Sequence, residues 1–183
     1  MTKLDIKDAY YSVPIREEHQ KLLKFAISGR LFKFVVLPNG YTAGPRKFTK
    51  LLKPALAKLR TEDITLAAYL DDMFLKGKSF LICQENLFKV IDLLRSLGFT
   101  IHPDKTLFEP SQEIEFLGFV INSNTMTVRL TIIKKNELKE LCSWMLAQAD
   151  TQKSVTIRDV ARLLGKITSS FIGVPAGNYI FVN

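Results

Sequence analysis

The stretch Leu66-Ala67-Ala68-Tyr69-Leu70-Asp71-Asp72-Met73-Phe74-Leu75 places two adjacent carboxylates between two apolar runs. Both runs have the composition of β-strands, and two residues between them suit a tight hairpin turn at Asp71 and Asp72. Such a turn can bring both carboxylates to one edge of a sheet, where each raises the pKa of the other unless a cation lies between them. Because Mg2+ prefers hard oxygen ligands, the pair predicts a metal site. An ordinary acidic hairpin tip is the alternative interpretation of the pair alone.

The composition is that of a soluble globular protein, with 183 residues, 47% hydrophobic and 24% charged. No apolar run approaches the length that crosses a bilayer, so we expect no membrane partner. The net charge of +8 favours an anionic partner, nucleic acid first. Cys83 and Cys142 have neither metal-binding nor disulfide spacing, which predicts a reducing compartment. We therefore expect a cytoplasmic protein, with the nucleus as the alternative.

Hydrophobic periodicity predicts a mixed helix and strand part, followed by a helical part that begins near Arg129 to Thr131. In the first part, Ser28-Gly29 before the β-prone run 30–36 predicts a hairpin. Short strands are expected around 99–101 and 115–121. In the helical part, one helix is expected over 132–149, and a second opens at a capping-box-like Thr156 and continues to Ser170.

Two amphipathic helices are predicted within the first part. One runs from Arg46 to about Arg60, and Pro54 should kink it or mark its end. The other runs from near Ser79 to Leu97 and stops at Gly98. Their inward faces are expected to be Phe48, Leu51, Leu52, Ala55, Leu56 and Leu59 in the first, and Leu87, Val90, Ile91 and Leu94 in the second.

Six segments, in the same order along the chain, resemble motifs of reverse transcriptases of the retrotransposon and retrovirus kind. They are Leu4-Asp5-Ile6-Lys7-Asp8-Ala9-Tyr10; Leu37-Pro38-Asn39-Gly40 with Gly44-Pro45 and Phe48; Tyr69-Leu70-Asp71-Asp72; Gly98-Phe99 with Pro103-Asp104-Lys105; Phe116-Leu117-Gly118-Phe119; and Ile157 to Lys166. The resemblance implies an α+β fold, in which the antiparallel sheet of a palm packs on helices, with partial fingers and a helical thumb. It implies a palm over 1–130 with a fingers insertion near 14–36, and a thumb over 131–183.

The resemblance also implies an RNA-directed DNA polymerase that adds dNTPs to a primer 3′-hydroxyl on an RNA or DNA template. Two Mg2+ ions about 4 Å apart would activate the hydroxyl and neutralise the leaving oxygens, and Mn2+ is an alternative metal. Asp5 and Asp71 would bridge both ions, with Asp72 as a supporting ligand. Lys105 would donate a proton to the departing pyrophosphate. Taken alone, Asp5 suits a strand end or a helix cap, and Lys105 suits an ordinary surface position.

The nucleotide site is implied in the same way. Asp8, Ala9 and Tyr10 resemble the stretch that receives the triphosphate and the sugar, with Tyr10 as a steric gate against a ribose 2′-hydroxyl. A core tyrosine is the alternative, and the adjacent Tyr11 shows that an aromatic residue here need not be functional. Asn39, where many relatives carry Gln, would either hydrogen-bond the sugar or only form a turn.

The contacts with the primer–template duplex are expected in the later motifs. Leu117, Gly118 and Phe119 would hold the primer terminus, since glycine permits close backbone approach. Gly165 and Lys166 would follow the minor groove and the phosphates. A plain strand and helix packing at the glycine are the alternatives. A basic surplus suited to phosphates lies on Lys134, Lys135, Lys139, Lys153, Arg158, Arg162 and Lys166.

In the resembled family a fingers element precedes the first motif, whereas almost nothing precedes Asp5 here. We therefore expect catalysis by this chain alone to be impaired, and further segments of a larger polyprotein to be partners. The segment 16–36, with Lys24, Arg30 and Lys33, would supply a second portion of the fingers. A catalytically inactive nucleic-acid-binding remnant of a retroelement is the alternative function, and an unrelated basic scaffold is a third.

Overall fold

The computed structural model describes residues 1–151 and 154–173. In chain order the strands are β1 (Thr2–Lys7), β2 (Lys24–Ile27), β3 (Arg30–Lys33), β4 (Thr65–Tyr69), β5 (Asp72–Lys76), β6 (Thr100–Ile101), β7 (Glu113–Phe116), β8 (Phe119–Asn122) and β9 (Thr127–Leu130). The helices are α1 (Glu17–Gln20), α2 (Gly44–Thr61), α3 (Phe80–Ser96), α4 (Ile132–Asp150) and α5 (Ile157–Ser170), with 3-10 turns at Ala9–Ser12 and Phe171–Gly173.

The chain divides into two compact units, the first spanning Met1–Ser111 and the second beginning at Gln112. This division does not coincide with the boundary near Arg129 to Thr131 that the change to helical sequence suggests. It falls earlier because the strands β7, β8 and β9 group with the helices that follow them. The assignment of palm, fingers and thumb to 1–130, 14–36 and 131–183 stays a prediction.

The first unit is built on a four-stranded antiparallel sheet in the order β4-β5-β1-β6. Alternate residues of the two central strands, Leu4 and Ile6 on β1 and Met73 and Leu75 on β5, are at most 1% exposed. They form one core with the buried faces of α2 and α3. Because strand side chains alternate between faces, Asp5 lies on the face of β1 opposite Leu4 and Ile6.

Helix α2 continues through Pro54, so of the two outcomes expected at this proline, a kink or an end, the end is wrong. Proline removes one backbone hydrogen bond, but the buried residues Leu52, Ala55 and Leu59 on either side of it hold the helix to the core. Leu51 was expected on the apolar stripe, yet it is 49% exposed. It lies at the margin of a stripe that is narrower than the sequence suggests.

Helix α3 matches its prediction closely. The Ser79 hydroxyl accepts a hydrogen bond from the backbone N–H of Ile82 at 3.2 Å and caps the helix. The four residues expected to face inward are buried; they are Leu87, Val90, Ile91 and Leu94. After the helix, Gly98 takes a left-handed φ of 87°, which is the conformation that favours glycine at a helix end.

The hairpin predicted at Ser28-Gly29 is confirmed: β2 pairs with β3, and both turn residues have positive φ. In the second unit, β7, β8 and β9 form an antiparallel meander, of which β9 was not predicted. Helices α4 and α5 follow, and the capping box at Thr156 is present as predicted. Within the described residues, no helix is both long and apolar enough to cross a membrane.

Candidate active site

The acidic hairpin forms, but its turn lies one residue earlier than the sequence suggests. Tyr69 and Asp72 are the last pair of the β4–β5 ladder, so the turn residues are Leu70 and Asp71. Leu70 adopts a left-handed φ of 57°. Asp72 is therefore a strand residue rather than a turn residue, and only Asp71 lies at the tip.

The pairing of β1 with β5 brings the distant Asp5 to this hairpin. Asp5 lies opposite Asp72 in the antiparallel register. The next residue on β1, Ile6, donates its backbone N–H to the carbonyl oxygen of Asp71 at 3.0 Å. The three acidic residues predicted to act together are thus neighbours at one end of the central sheet.

The carboxylates perturb one another. Asp72 has a raised pKa because it is partly buried, because the charges of Asp71 and Asp5 are close, and because its carboxyl group hydrogen-bonds that of Asp5. The ammonium of Lys105 lies 3.6 Å from Oδ2 of Asp5 and partly opposes this shift. The side chain of Asp5 is only 10% exposed, so its carboxyl group lies in a poorly solvated position.

A cavity of about 330 Å³ opens at this edge of the sheet. It gathers the predicted residues of the first unit except Asp72: Asp5, Asp8, Ala9, Tyr10, Asn39, Asp71 and Lys105. Asp72 instead lines an adjoining cavity, which it shares with Asp5 and Lys105. Residues from four separate motifs therefore meet around one space.

The predicted nucleotide residues have distinct environments. Asp8 is exposed and takes a left-handed φ of 52°, which starts the 3-10 turn at Ala9–Ser12. The Tyr10 ring packs edge-on against Phe48, with 5.7 Å between ring centroids. Burial, together with the nearby charge of Asp71, raises the pKa of the Tyr10 hydroxyl. Tyr10 is therefore anchored in the core by its ring while it lines the cavity.

Four residues that the sequence did not assign to the site also line this cavity: Ile6, Lys7, Tyr11 and His102. The Tyr11 hydroxyl accepts a hydrogen bond from Nδ2 of Asn39 at 3.2 Å, which links the first and second motifs. His102 donates its backbone N–H to the carbonyl oxygen of Asp5 at 2.9 Å. Its Nδ1 is buried without a hydrogen-bond partner among the described residues. The position of His102 directly before Pro103-Asp104-Lys105 was the only signal in the sequence.

The side chains that line the cavity can be compared with the ligands that a divalent metal ion requires. Within residues 1–151 and 154–173, no group of three or more His, Cys, Asp or Glu side chains is arranged to hold a metal. Three carboxylate residues, Asp5, Asp8 and Asp71, line the same cavity, and two of them, Asp5 and Asp71, come from the paired strands and their hairpin. Mg2+ in phosphate-handling sites is held by one or two carboxylates, and substrate phosphates and water complete its shell. The residues present fit that kind of site.

In the second unit, the predicted primer-binding residues form the turn between β7 and β8. Leu117 and Gly118 both have left-handed φ values, 49° and 79°, as a two-residue hairpin turn requires. Gly118 accepts a backbone hydrogen bond from Thr131 at 3.1 Å, which ties the turn to the start of α4. Phe119 begins β8, and the ammonium of Lys134 lies 4.0 Å from the centroid of its ring.

The predicted duplex-binding residues of α5 differ in their availability. A Cβ built on Gly165 would meet no described atom within 4 Å, so this part of the helix surface is open and the alternative of helix packing at the glycine is not supported. The Lys166 ammonium forms a 2.5 Å ion pair with Glu137 of α4, which lowers the pKa of Glu137. A phosphate would have to compete with Glu137 for Lys166. Lys135, Lys139, Arg158 and Arg162 are exposed, and Lys153 lies outside the described residues.

Comparison with known proteins gives the family. A family model described as "Reverse transcriptase (RNA-dependent DNA polymerase)" matches residues 1–121, from β1 into β8. The chain therefore belongs to the reverse transcriptase family, as the six motifs predicted. Curated relatives include the Gag-Pol polyproteins of Rous sarcoma virus subgroup B (strain Schmidt-Ruppin) and subgroup C (strain Prague), which are 30% and 31% identical over 129 residues. Each match covers 66% of this chain and 8% of the polyprotein, so the chain spans a small part of these relatives.

Solved structures show the same fold. A foamy viral protease-reverse transcriptase in complex with double-stranded DNA matches 98% of this chain and 29% of its own, with a TM-score of 0.74 and 20% identity. A foamy viral protease-reverse transcriptase in complex with an RNA/DNA hybrid matches 92% of this chain and 21% of its own, with a TM-score of 0.67 and 21% identity. The predicted α+β fold of reverse transcriptases, with antiparallel sheets packed on helices, is confirmed.

Proposed function

We propose that this chain carries the polymerase centre of an RNA-directed DNA polymerase, which adds dNTPs to a primer 3′-hydroxyl on an RNA or DNA template. The observation that carries the proposal is the cavity at the end of the central sheet. Asp5 and Asp71 line it together with the predicted nucleotide residues Asp8, Tyr10 and Asn39. Membership of the reverse transcriptase family supports the reaction class.

Asp5 and Asp71 would hold the divalent ions in this proposal, with Asp72 as a supporting group. Bound Mg2+, or Mn2+ in its place, would supply Lewis-acid neutralisation of charge at the phosphate that is transferred. The raised pKa of Asp72 supports this assignment, because a carboxyl group crowded by two others gains from a cation.

The other residues of the cavity would bind and position the nucleotide. The Lys105 ammonium, already beside Asp5, would offer a proton to the departing pyrophosphate. The Tyr10 ring, braced against Phe48, would limit the space beside the sugar. Asn39, held by the Tyr11 hydroxyl, would present its remaining amide groups to the sugar.

The partners follow from the same proposal. The similar foamy viral proteins have been solved in complex with double-stranded DNA and with an RNA/DNA hybrid. A primer–template duplex is therefore the partner that we propose for this chain, and the exposed basic residues of α4 and α5 suit its phosphates. The Gag-Pol relatives support further segments of a larger polyprotein as additional partners.

Primer extension tests the proposal. A labelled DNA primer is annealed to an RNA or a DNA template, and dNTP incorporation is measured with Mg2+, with Mn2+ and with a chelator. We expect metal-dependent extension that falls by at least about a hundredfold in Asp71→Asn, because Asp71 would hold an ion that stabilises transition-state charge, and loss of one such stabilising group costs that much. Asp92→Asn, on the exposed side of α3, is the matched control.

Two results would contradict the proposal. Extension that is unchanged in Asp71→Asn would remove the acidic hairpin from the reaction. Salt-sensitive duplex binding without nucleotide incorporation under either metal would identify an inactive nucleic-acid-binding remnant instead.

A further inference from the structure

Lys134, in the first turn of α4, joins three parts of the second unit. Its Nζ lies 4.0 Å from the centroid of the Phe119 ring. The same Nζ donates a hydrogen bond to the carbonyl oxygen of Ser169 at 3.2 Å. Its aliphatic stem passes so close to Gly118 that a Cβ at that position would lie 2.9 Å from Cδ of the lysine.

Each contact has a physical reason. The face of an aromatic ring is electronegative and attracts an ammonium group. Ser169 lies in the last turn of α5, where carbonyl groups lack partners within the helix and the helix dipole favours a cation. Partial burial lowers the pKa of Lys134.

The hairpin tip is thus held from two sides. Thr131, the N-cap of α4, donates its backbone N–H to Gly118 at 3.1 Å. One turn later, Lys134 covers Gly118 and reaches the ring of Phe119. Glycine at position 118 suits the φ of 79°, and its lack of a side chain leaves the space through which the lysine stem passes. Helix α4 therefore fixes the conformation of the turn at Leu117 and Gly118.

We infer that Lys134 is a positioning residue for the primer strand, which acts by holding Gly118 and Phe119 in place and does not itself contact the nucleic acid. The inference rests on the proposed function and adds to it a residue with a defined role. The inference gives Lys134 a different role from its exposed neighbour Lys135, although the sequence alone predicts phosphate contacts for both.

Equilibrium binding of a labelled primer–template duplex, measured by fluorescence anisotropy over a range of salt concentrations, tests the inference. Lys134→Met keeps an unbranched stem but removes the charge, and we expect it to weaken binding by about three- to tenfold, the scale of one partly desolvated cation–π contact. The slope of log affinity against log salt should stay at the wild-type value, because no phosphate contact is lost. Lys135→Met should reduce that slope by about 0.9 if it removes one phosphate contact.

A double-mutant cycle shows whether Lys134 acts through the ring. We expect the double variant Lys134→Met with Phe119→Leu to bind the duplex no more weakly than Phe119→Leu alone, while the KM for dNTP stays unchanged. Lys134→Arg should recover most of the affinity, since a guanidinium group also packs on an aromatic face. A general loss of folding would instead weaken the binding of both the duplex and dNTP, and Lys134→Arg would not selectively restore duplex binding.

The outcomes are distinguishable. A reduced salt slope in Lys134→Met, or additive losses in the double variant, would overturn the positioning role. If the wild type binds the duplex and Lys134→Met binds it with the same affinity, the positioning role is overturned as well. The proposed function is unaffected by that result. Absence of duplex binding by the wild-type chain would overturn the proposed function, and the role of Lys134 in primer binding with it.

Discussion

Replacing Asp72 by Asn should stabilise the metal-free protein. In the folded state, burial and the charges of Asp71 and Asp5 raise the pKa of Asp72 above its ordinary value. The folded protein then binds this proton more tightly than the unfolded chain does, so stability decreases as the pH rises through the interval between the two pKa values. At neutral pH the ionised Asp72 carboxylate is a net cost to folding, and Asp72→Asn removes that cost.

The size of the effect follows from the contact with Asp5. Asn keeps the shape of Asp and offers an N–H to the Asp5 carboxylate; a buried hydrogen bond to a charged group contributes about 1.5–3 kcal/mol. Since Asp72 is only partly buried, we expect about 1 kcal/mol, which corresponds to a rise in Tm of about 2–4 °C for a chain of this size. Thermal unfolding followed by circular dichroism in the presence of a chelator measures it.

The pH dependence makes this prediction specific. The gain in Asp72→Asn should be largest at neutral pH and should disappear under acidic conditions, where Asp72 of the wild type is protonated. Asp92→Asn, an exposed change of the same chemistry, should leave Tm unchanged at every pH. A lower Tm for Asp72→Asn at neutral pH, or a gain that does not depend on pH, would refute the electrostatic description of the site.

Three further substitutions test the packing and helix capping that support the fold. Gly77→Ala should destabilise the protein by about 1–3 kcal/mol in chemical denaturation, because its Cβ would lie 2.6 Å from the backbone of Cys83, which cannot easily move; an unchanged midpoint would contradict this. Phe48→Leu should remove the edge-to-face contact with Tyr10, which contributes about 1 kcal/mol to stability, and should raise the KM for dNTP. A KM equal to that of the wild type would show that Tyr10 does not need the Phe48 ring to hold its position. Thr156→Ala should cost about 1 kcal/mol by removing the cap of α5, and the absence of any loss in thermal unfolding would show that the cap is not needed.

Local signals in the sequence predict many elements of the first unit. Ser79 caps α3 as its hydroxyl suggests, and the positive φ values of Ser28 and Gly29 follow from ordinary turn chemistry. Local sequence signals fail to predict an element when contacts with distant parts of the chain determine whether it forms. Pro54 stays within α2 because buried neighbours offset its missing hydrogen bond, and β9 forms because β8 provides a partner strand.

The candidate site depends on distant register and was predictable only in part. The motifs indicated Asp5 and Asp71, but the shift of the turn to Leu70 and Asp71 sets Asp72 on the strand opposite Asp5. That shift depends on the pairing of β4 with β5, which composition does not determine. His102 enters the site through a backbone hydrogen bond to Asp5 across the sheet, a contact that no short sequence window contains.

The central claim is that Asp5 and Asp71 hold divalent ions beside a bound nucleotide. Titration of Mn2+ into the protein with a non-hydrolysable dNTP analogue, with free Mn2+ counted by electron paramagnetic resonance, tests this claim without requiring turnover. We predict nucleotide-dependent Mn2+ binding by the wild type and by Asp92→Asn, and its loss in Asp5→Asn and in Asp71→Asn. Mn2+ binding of the same stoichiometry and affinity in Asp71→Asn as in the wild type would contradict the claim.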